Sequence, residues 1–170
     1  LKIPPSEIHE VVDLGTGSGA IAISLKSERP QWSITATDAS EAALKVAGQN
    51  AQTHHCDINF VAGNWLTPFK SKLFDLIVSN PPYISTDDPL DYASSGFEPR
   101  SALIAPQQGS ADLADIITQA PHHLNAGGRI ILEHGFRQKE EVCAMLEQQK
   151  FDSITAHIDL AGHDRAVSAI

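Results

Sequence analysis

Three glycines at alternate positions, Gly15, Gly17 and Gly19, follow a short apolar run and open a helical pattern. Glycines let a backbone turn sharply between a buried strand and a helix, so Asp13-Leu14-Gly15-Thr16-Gly17-Ser18-Gly19 reads as the turn of a βα unit. The rest of the chain alternates apolar runs with amphipathic segments, the pattern of an α/β fold with a parallel sheet. Spacing predicts strands over 9–14, 33–37, 58–62, 74–79 and 129–133. Helices are predicted over 19–28, stopped by Pro30, over 41–51 with Ser40 as N-cap, from Ser110 to about 123, and over 138–149. Residues 125–128, Asn-Ala-Gly-Gly, read as a turn, and 81–109 as a long loop, which in a compact domain usually serves function. Strands over 154–158 and 166–170 are expected to close the sheet, antiparallel to each other. The expected fold is a doubly wound, seven-stranded, Rossmann-like sheet, mostly parallel with an antiparallel C-terminal strand. Ligands of such sheets sit outside the carboxyl ends of the strands, where every motif below falls.

At 170 residues the chain has the length of one domain, and one is expected over 1–170. With 42% hydrophobic and 19% charged residues it can bury a sizeable core. The net charge of -9 argues against an enzyme that grips duplex DNA by its phosphates, so no direct nucleic-acid partner is expected. Two distant cysteines, Cys56 and Cys143, form neither a disulfide framework nor a zinc signature, which fits a reducing, cytoplasmic compartment. No apolar run approaches membrane-spanning length, so no membrane partner is expected. The chain begins at Leu1, almost directly before the first predicted strand, as expected of a piece of a longer protein.

Asp38 lies about 20 residues past the glycines, at the end of the second predicted strand. A carboxylate there can accept hydrogen bonds from both hydroxyls of a ribose, so the glycine turn and Asp38 together indicate an adenosine-type cofactor. Which one stays open on these residues, since Gly15, Gly17 and Ala20 also satisfy the dinucleotide pattern G-x-G-x-x-A. Asp13 favours a methyl donor, because an acid there can hold a cationic amino-acid end.

Ser79-Asn80-Pro81-Pro82-Tyr83, at the end of the fourth predicted strand, resembles the [D/N/S]-P-P-[Y/F/W] motif of enzymes that methylate planar nitrogens. An amide or exocyclic amino nitrogen is a poor nucleophile because its lone pair is delocalised. The Asn80 side-chain oxygen and the Pro81 carbonyl can each accept one hydrogen of the –NH2 group. That fixes the nitrogen and favours pyramidalisation, which exposes the lone pair. Pro81 and Pro82 stiffen the loop so that these acceptors are preorganised. Tyr83 can pack on the planar group. No strong general base is required, because the methylated nitrogen sheds its proton readily. Positioning of this kind can supply up to about 7–11 kcal/mol of a barrier.

With these motifs in place the chain resembles the release-factor glutamine methyltransferase family, which methylates the glutamine of the Gly-Gly-Gln motif in peptide chain release factors. The resemblance covers almost the whole chain. It rests on DLGTGSGAIA at 13–22, SNPPYI at 79–84, FEP-x-x-AL at 97–103, LEHG at 132–135 and D-x-x-G-x-x-R at 159–165. The first two are shared by several nitrogen methyltransferases. The last three look more like the release-factor enzyme than its ribosomal-protein glutamine methyltransferase relative. The resemblance implies S-adenosylmethionine as cofactor, S-adenosylhomocysteine as product, and a peptide chain release factor as partner. It makes Gly15, Thr16, Gly17, Ser18 and Gly19 the methionine and ribose cradle, and Asp38 the ribose acid. Trp65 would sit against the adenine, Asn80 would touch both cofactor and substrate, and Pro81, Pro82 and Tyr83 would hold the glutamine. Asn64 stands where the family usually carries an acid and can accept only a weaker hydrogen bond from the adenine amino group. The family's small helical N-terminal domain would precede these residues.

Other features point less sharply. His54-His55-Cys56-Asp57 resembles a metal cluster, but adjacent ligands on one short loop do not readily surround an ion, and no metal is expected. His122 and His123 suit a helix end. Glu133 and His134 sit at a strand end near the expected site, with functional and structural roles both open. Glu98 and Arg100 are expected to wall a substrate pocket, and Arg165 to be an ion-pair partner. Two other functions explain part of the pattern. An adenine-N6 methyltransferase shares the Asn-Pro-Pro-Tyr chemistry but must flip its base and usually carries a basic recognition domain. A dehydrogenase or regulatory nucleotide-binding module explains the glycine turn and leaves Asn80–Tyr83 without a role.

Overall fold

The computed structural model describes residues 9–82 and 110–170. In chain order these form β1 (Glu10–Leu14), α1 (Ala20–Glu28), β2 (Ser33–Asp38), α2 (Glu41–Thr53), β3 (Asn59–Ala62) and β4 (Phe74–Ser79). After the undescribed segment come α3 (Ala111–Gln119), a 3-10 turn (Ala120–His122), β5 (Leu124–Glu133), α4 (Lys139–Gln148), β6 (Thr155–Ile158) and β7 (Asp164–Ala169). The strands make a seven-stranded sheet of order β3-β2-β1-β4-β5-β7-β6. β1 pairs parallel with β2 and β4, β2 pairs parallel with β3, and β6 pairs antiparallel with β7. The fold is therefore the expected one, a mostly parallel sheet with antiparallel strands at its C-terminal end.

Two compact units make up the chain, one drawn from Leu1–Ser79 and Gln119–Ile131, the other from Asn80–Thr118 and Leu132–Ile170. In the first, four of the five residues of β1 and five of the six of β4 are buried. Central parallel strands are covered on both faces, which is why these segments read as continuous apolar runs rather than alternations. Val11, Ile34, Ala36, Leu76 and Val78 pack with Ala22 of α1 and with Trp32, and Leu25, Phe60 and Ile131 close around them. Burial stabilises by about 1.5–3 kcal/mol for each large apolar side chain. At the opposite end from the glycine turn, Asp75 Oδ2 accepts the His9 and Glu10 N–H groups at 2.9 Å each, tying the start of β1 to β4.

α1 starts at Ala20 with Gly19 as its N-cap in a left-handed conformation, φ 84°. α2 starts where predicted, with the Ser40 hydroxyl accepting from the Ala43 N–H at 3.2 Å, and runs two residues past the predicted end, to Thr53. The stretch at 125–128 differs from its prediction, because β5 already begins at Leu124. Its turn chemistry persists inside the strand. Gly127 has φ 77°, and a Cβ on Gly128 would lie 2.8 Å from the Asn125 carbonyl oxygen. Bonds to the start of β4 hold this stretch: the Phe74 N–H donates to the His123 carbonyl at 2.8 Å, and Asn125 Nδ2 donates to Asp75 Oδ1 at 2.7 Å.

In the second unit α4 packs on β7. The D-x-x-G-x-x-R motif forms the turn between β6 and β7. Asp159 Oδ1 accepts the Ala161 and His163 N–H groups at 2.9 and 3.0 Å, while Oδ2 lies 3.5 Å from Arg165 Nε. Arg165 is thus an ion-pair partner, as expected, and its motif shapes a hairpin. No described helix is long and apolar enough to cross a membrane.

Candidate functional site

Register places the ends of three strands side by side. Leu14 of β1 is the partner of both Thr37 of β2 and Ser79 of β4. In the chain, Gly15, Asp38 and Asn80 follow these three residues. The Ser79 hydroxyl donates to the Leu14 carbonyl at 2.8 Å, which fixes the spot where β1 gives way to the glycine turn.

Hydrogen bonds from neighbouring strands and helices hold the turn. The Thr16 N–H donates to the Thr37 carbonyl at 2.8 Å, and the Gly17 N–H to Asp38 Oδ2 at 2.9 Å. Asn50 Nδ2 of α2 donates to the Ser18 carbonyl at 2.8 Å. The other Asp38 oxygen accepts the Ser40 N–H at 2.8 Å, so this carboxylate links the glycine turn to the start of α2. Asp38 is only half-buried and each of its oxygens keeps lone-pair capacity, so it can still accept from hydroxyl groups of a ligand.

The turn has one closed side and one open side. Gly15 has φ 67°, and a Cβ there would lie 2.9 Å from Cζ3 of the buried Trp65. Gly17 has φ 56°, and a Cβ there would meet nothing within 4 Å. The crown of the turn therefore offers bare backbone beside open space, with Ser18 exposed next to it. That is the shape needed by a ligand that approaches the main chain closely.

Asp13 lies behind the turn and is 1% exposed. Its Oδ2 accepts from the Thr16 hydroxyl at 2.6 Å and from the Ala22 N–H at 3.2 Å, while Oδ1 is buried without a partner among the described residues. Burial pushes the carboxyl up to about 6; the two bonds to Oδ2 oppose this, and the nearby Asp38 charge adds to it. The sequence suggests that Asp13 holds a cationic ligand end. In the structure Oδ2 clamps the turn to the first turn of α1.

The resemblance sets Trp65 against an adenine, and the structure packs its indole on Gly15 from a backbone with φ 46°. Asn64 is exposed, and its carbonyl accepts both the N–H and the hydroxyl of Thr67 at 3.1 and 2.6 Å. Asn80 is exposed, Pro81 buried and Pro82 half-buried. Tyr83, Glu98 and Arg100 lie outside the described residues. Among the described residues no group of three or more His, Cys, Asp or Glu is arranged to hold a metal. Thr37, Asn50 and Ser79 also hold the turn, and the sequence carries no signal for them. Asn50 acts across 32 residues and Ser79 across 65, so only the folded register brings them in.

The family model described as Methyltransferase small domain matches residues 2–94. The chain is 45% identical over 159 residues to the release factor glutamine methyltransferase of Xylella fastidiosa, covering 92% of this chain and 58% of that one. It is 40% identical over 169 residues to the protein of the same name from Coxiella burnetii, covering 99% and 61%. It thus spans roughly three fifths of the length of these relatives. Among solved structures it resembles the ribosomal protein L11 methylase from Lactobacillus delbrueckii subsp. bulgaricus, with a TM-score of 0.69 at 25% identity over 94% of this chain and 68% of that one.

Proposed function

We propose that this chain, which belongs to the methyltransferase small domain family, transfers a methyl group from S-adenosylmethionine to the side-chain amide nitrogen of a glutamine. The substrate is the Gly-Gly-Gln motif of a peptide chain release factor. The register of Leu14, Thr37 and Ser79 carries the reading, because it starts the glycine turn, Asp38 and the Asn80-Pro81-Pro82 segment from one level of three neighbouring strands. The names of the relatives support the choice of substrate.

The residues present fit the cofactor. Bare backbone at Gly17, the partly exposed Asp38 carboxylate and the exposed Ser18 form a cradle that accepts hydroxyl and amino groups and leaves room for a ligand. Gly15, Thr16, Gly17, Ser18 and Gly19 would hold the methionine and ribose portion, Asp38 the ribose hydroxyls, and Trp65 and Asn64 the adenine. S-adenosylmethionine, when bound, supplies an electrophilic sulfonium methyl group. Asn80 Oδ1 and the Pro81 carbonyl accept the two hydrogens of the glutamine –NH2 and turn its lone pair toward that group. Pro81 and Pro82 hold these acceptors in place before substrate arrives, so little reorganisation remains for the reaction itself. The glutamine nitrogen held by Asn80 and Pro81 would take up that methyl group and give one proton to solvent, with S-adenosylhomocysteine as the other product.

Asn80→Ala tests this arrangement. Transfer of labelled methyl should fall on the order of 10²–10³-fold, the usual effect of removing a preorganised polar contact to the reacting group. Cofactor binding should be weakened but measurable by calorimetry. Near-normal turnover would refute the nitrogen-holding role.

A further inference from the structure

Asp38 has a neighbour on each side. On one, the Gly17 N–H donates to its carboxylate. On the other, Ala62 at the end of β3 is its register partner, and the Gly63 N–H donates to its main-chain carbonyl at 3.0 Å. Residues 63–65 therefore follow the strand next to Asp38, on the side away from β1. The Trp65 indole in turn packs against Gly15 of the glycine turn. Asn64 lies between these two anchors. Its carbonyl accepts the Thr67 N–H and hydroxyl, which fixes its main chain. Its side chain is exposed, and the carboxamide makes no hydrogen bond among the described residues.

A cofactor with its ribose on Asp38 and its methionine end along the glycine turn has its base on the opposite flank. Asn64 carries the exposed polar side chain of that flank. Purines differ in what they show there. A 6-aminopurine offers a donor at C6 and an acceptor at N1, whereas a 6-ketopurine offers an acceptor at C6 and a donor at N1. A carboxylate only accepts, so it selects the amino base. A carboxamide carries both an acceptor and a donor. Its terminal torsion is roughly two-fold, so turning it over exchanges the two at little cost unless a neighbour holds it. No described neighbour holds the Asn64 carboxamide.

We propose that Asn64 makes the base subsite tolerant of the group at C6, so that the chain also takes the deaminated cofactor, with hypoxanthine in place of adenine. Asn64 Oδ1 accepts from the 6-amino group of the one, and Nδ2, turned over, donates to the 6-keto oxygen of the other. The inference rests on the methyltransferase reading and adds a specificity to its cofactor site. Calorimetry with S-adenosylhomocysteine and S-inosylhomocysteine tests it, on the wild-type chain and on Asn64→Asp and Asn64→Ala. Wild type should bind the two within about tenfold, the range of one ordinary hydrogen bond. Asn64→Asp should widen that gap by about tenfold or more, because the carboxylate keeps the 6-amino contact and repels the 6-keto oxygen. Asn64→Ala should weaken both ligands alike, by about two- to tenfold, since each loses its partner.

The arms separate this inference from the reading beneath it. A wider wild-type gap, a gap that Asn64→Asp leaves as it was, or unchanged affinities in Asn64→Ala overturns the role of Asn64 and leaves the methyltransferase reading in place. Binding of neither ligand by the wild-type chain removes the cofactor reading and the inference with it. Tolerance of both bases in a chain that methylates no release factor leaves the inference standing and removes the substrate reading. The melting temperatures of the ligand-free variants should match that of wild type, because the exposed carboxamide holds no part of the fold.

Discussion

Alanine at Gly15 and alanine at Gly17 should differ in their effect on stability, and the structure gives the size of the difference. Both glycines lie at positive φ, 67° and 56°. A left-handed conformation costs a residue with a Cβ about 1–2 kcal/mol, so both variants pay that much. Only Gly15 has a neighbour in the way. Its Cβ would stand 2.9 Å from Trp65 Cζ3, well inside the roughly 3.5–4.0 Å of an ordinary carbon contact. Trp65 is 9% exposed and its own backbone sits at φ 46°, so the indole has little freedom to retreat. Overpacking of this kind adds about 1–3 kcal/mol. Gly15→Ala should therefore destabilise by about 2–5 kcal/mol and Gly17→Ala by about 1–2 kcal/mol. In a chain of this length the difference amounts to about 2–12 °C in melting temperature. Urea and thermal unfolding of the cofactor-free chain measure it. Repeating both substitutions in a Trp65→Leu background should close the gap, because the clash partner is gone. Equal losses for the two glycines, or a gap that survives removal of the indole, would refute the packing of Trp65 on the turn.

Two further perturbations act on the same turn. A carboxyl raised to about 6 in the folded chain from 3.8 holds its proton more tightly when folded. The stabilisation this gives is complete below about pH 4 and is lost as pH rises through about 6, a swing of about 3 kcal/mol. Asp13→Asn should flatten the fall in urea-unfolding stability between pH 4 and pH 8, taken as about two units either side of that midpoint, and unchanged slopes would remove the claim that Asp13 is buried with one oxygen unpaired. Asp38→Ala should weaken S-adenosylmethionine binding on the order of ten- to a hundredfold in calorimetry, because charged hydrogen bonds to the ribose are lost. It should also lower the melting temperature slightly, since the Gly17 and Ser40 N–H groups lose their common acceptor. Unchanged affinity would exclude Asp38 as the ribose acid.

Local chemistry was legible in the sequence wherever one residue type answered one need. Alternating glycines marked the β1–α1 turn, Ser40 marked the start of α2, and the apolar run at 74–79 gave β4 to the residue. The stretch at 125–128 was misread because its turn residues sit inside a strand, where bonds to Phe74 and Asp75 hold it. Long-range supports of the site were not legible. Asn50 on Ser18, Ser79 on Leu14 and Thr16 on Thr37 depend on register, which no local pattern encodes. The sequence shows Asp13 as an acid near the turn, but its burial and inward-facing Oδ2 depend on α1 packing over β1.

The central claim is tested most directly by transfer of labelled methyl from S-adenosylmethionine to three acceptors: a peptide chain release factor, the same factor with its Gly-Gly-Gln glutamine changed to alanine, and duplex DNA. Label on the intact release factor alone, lost in the alanine variant, is the predicted result. Label on DNA, or on both forms of the release factor alike, would contradict it.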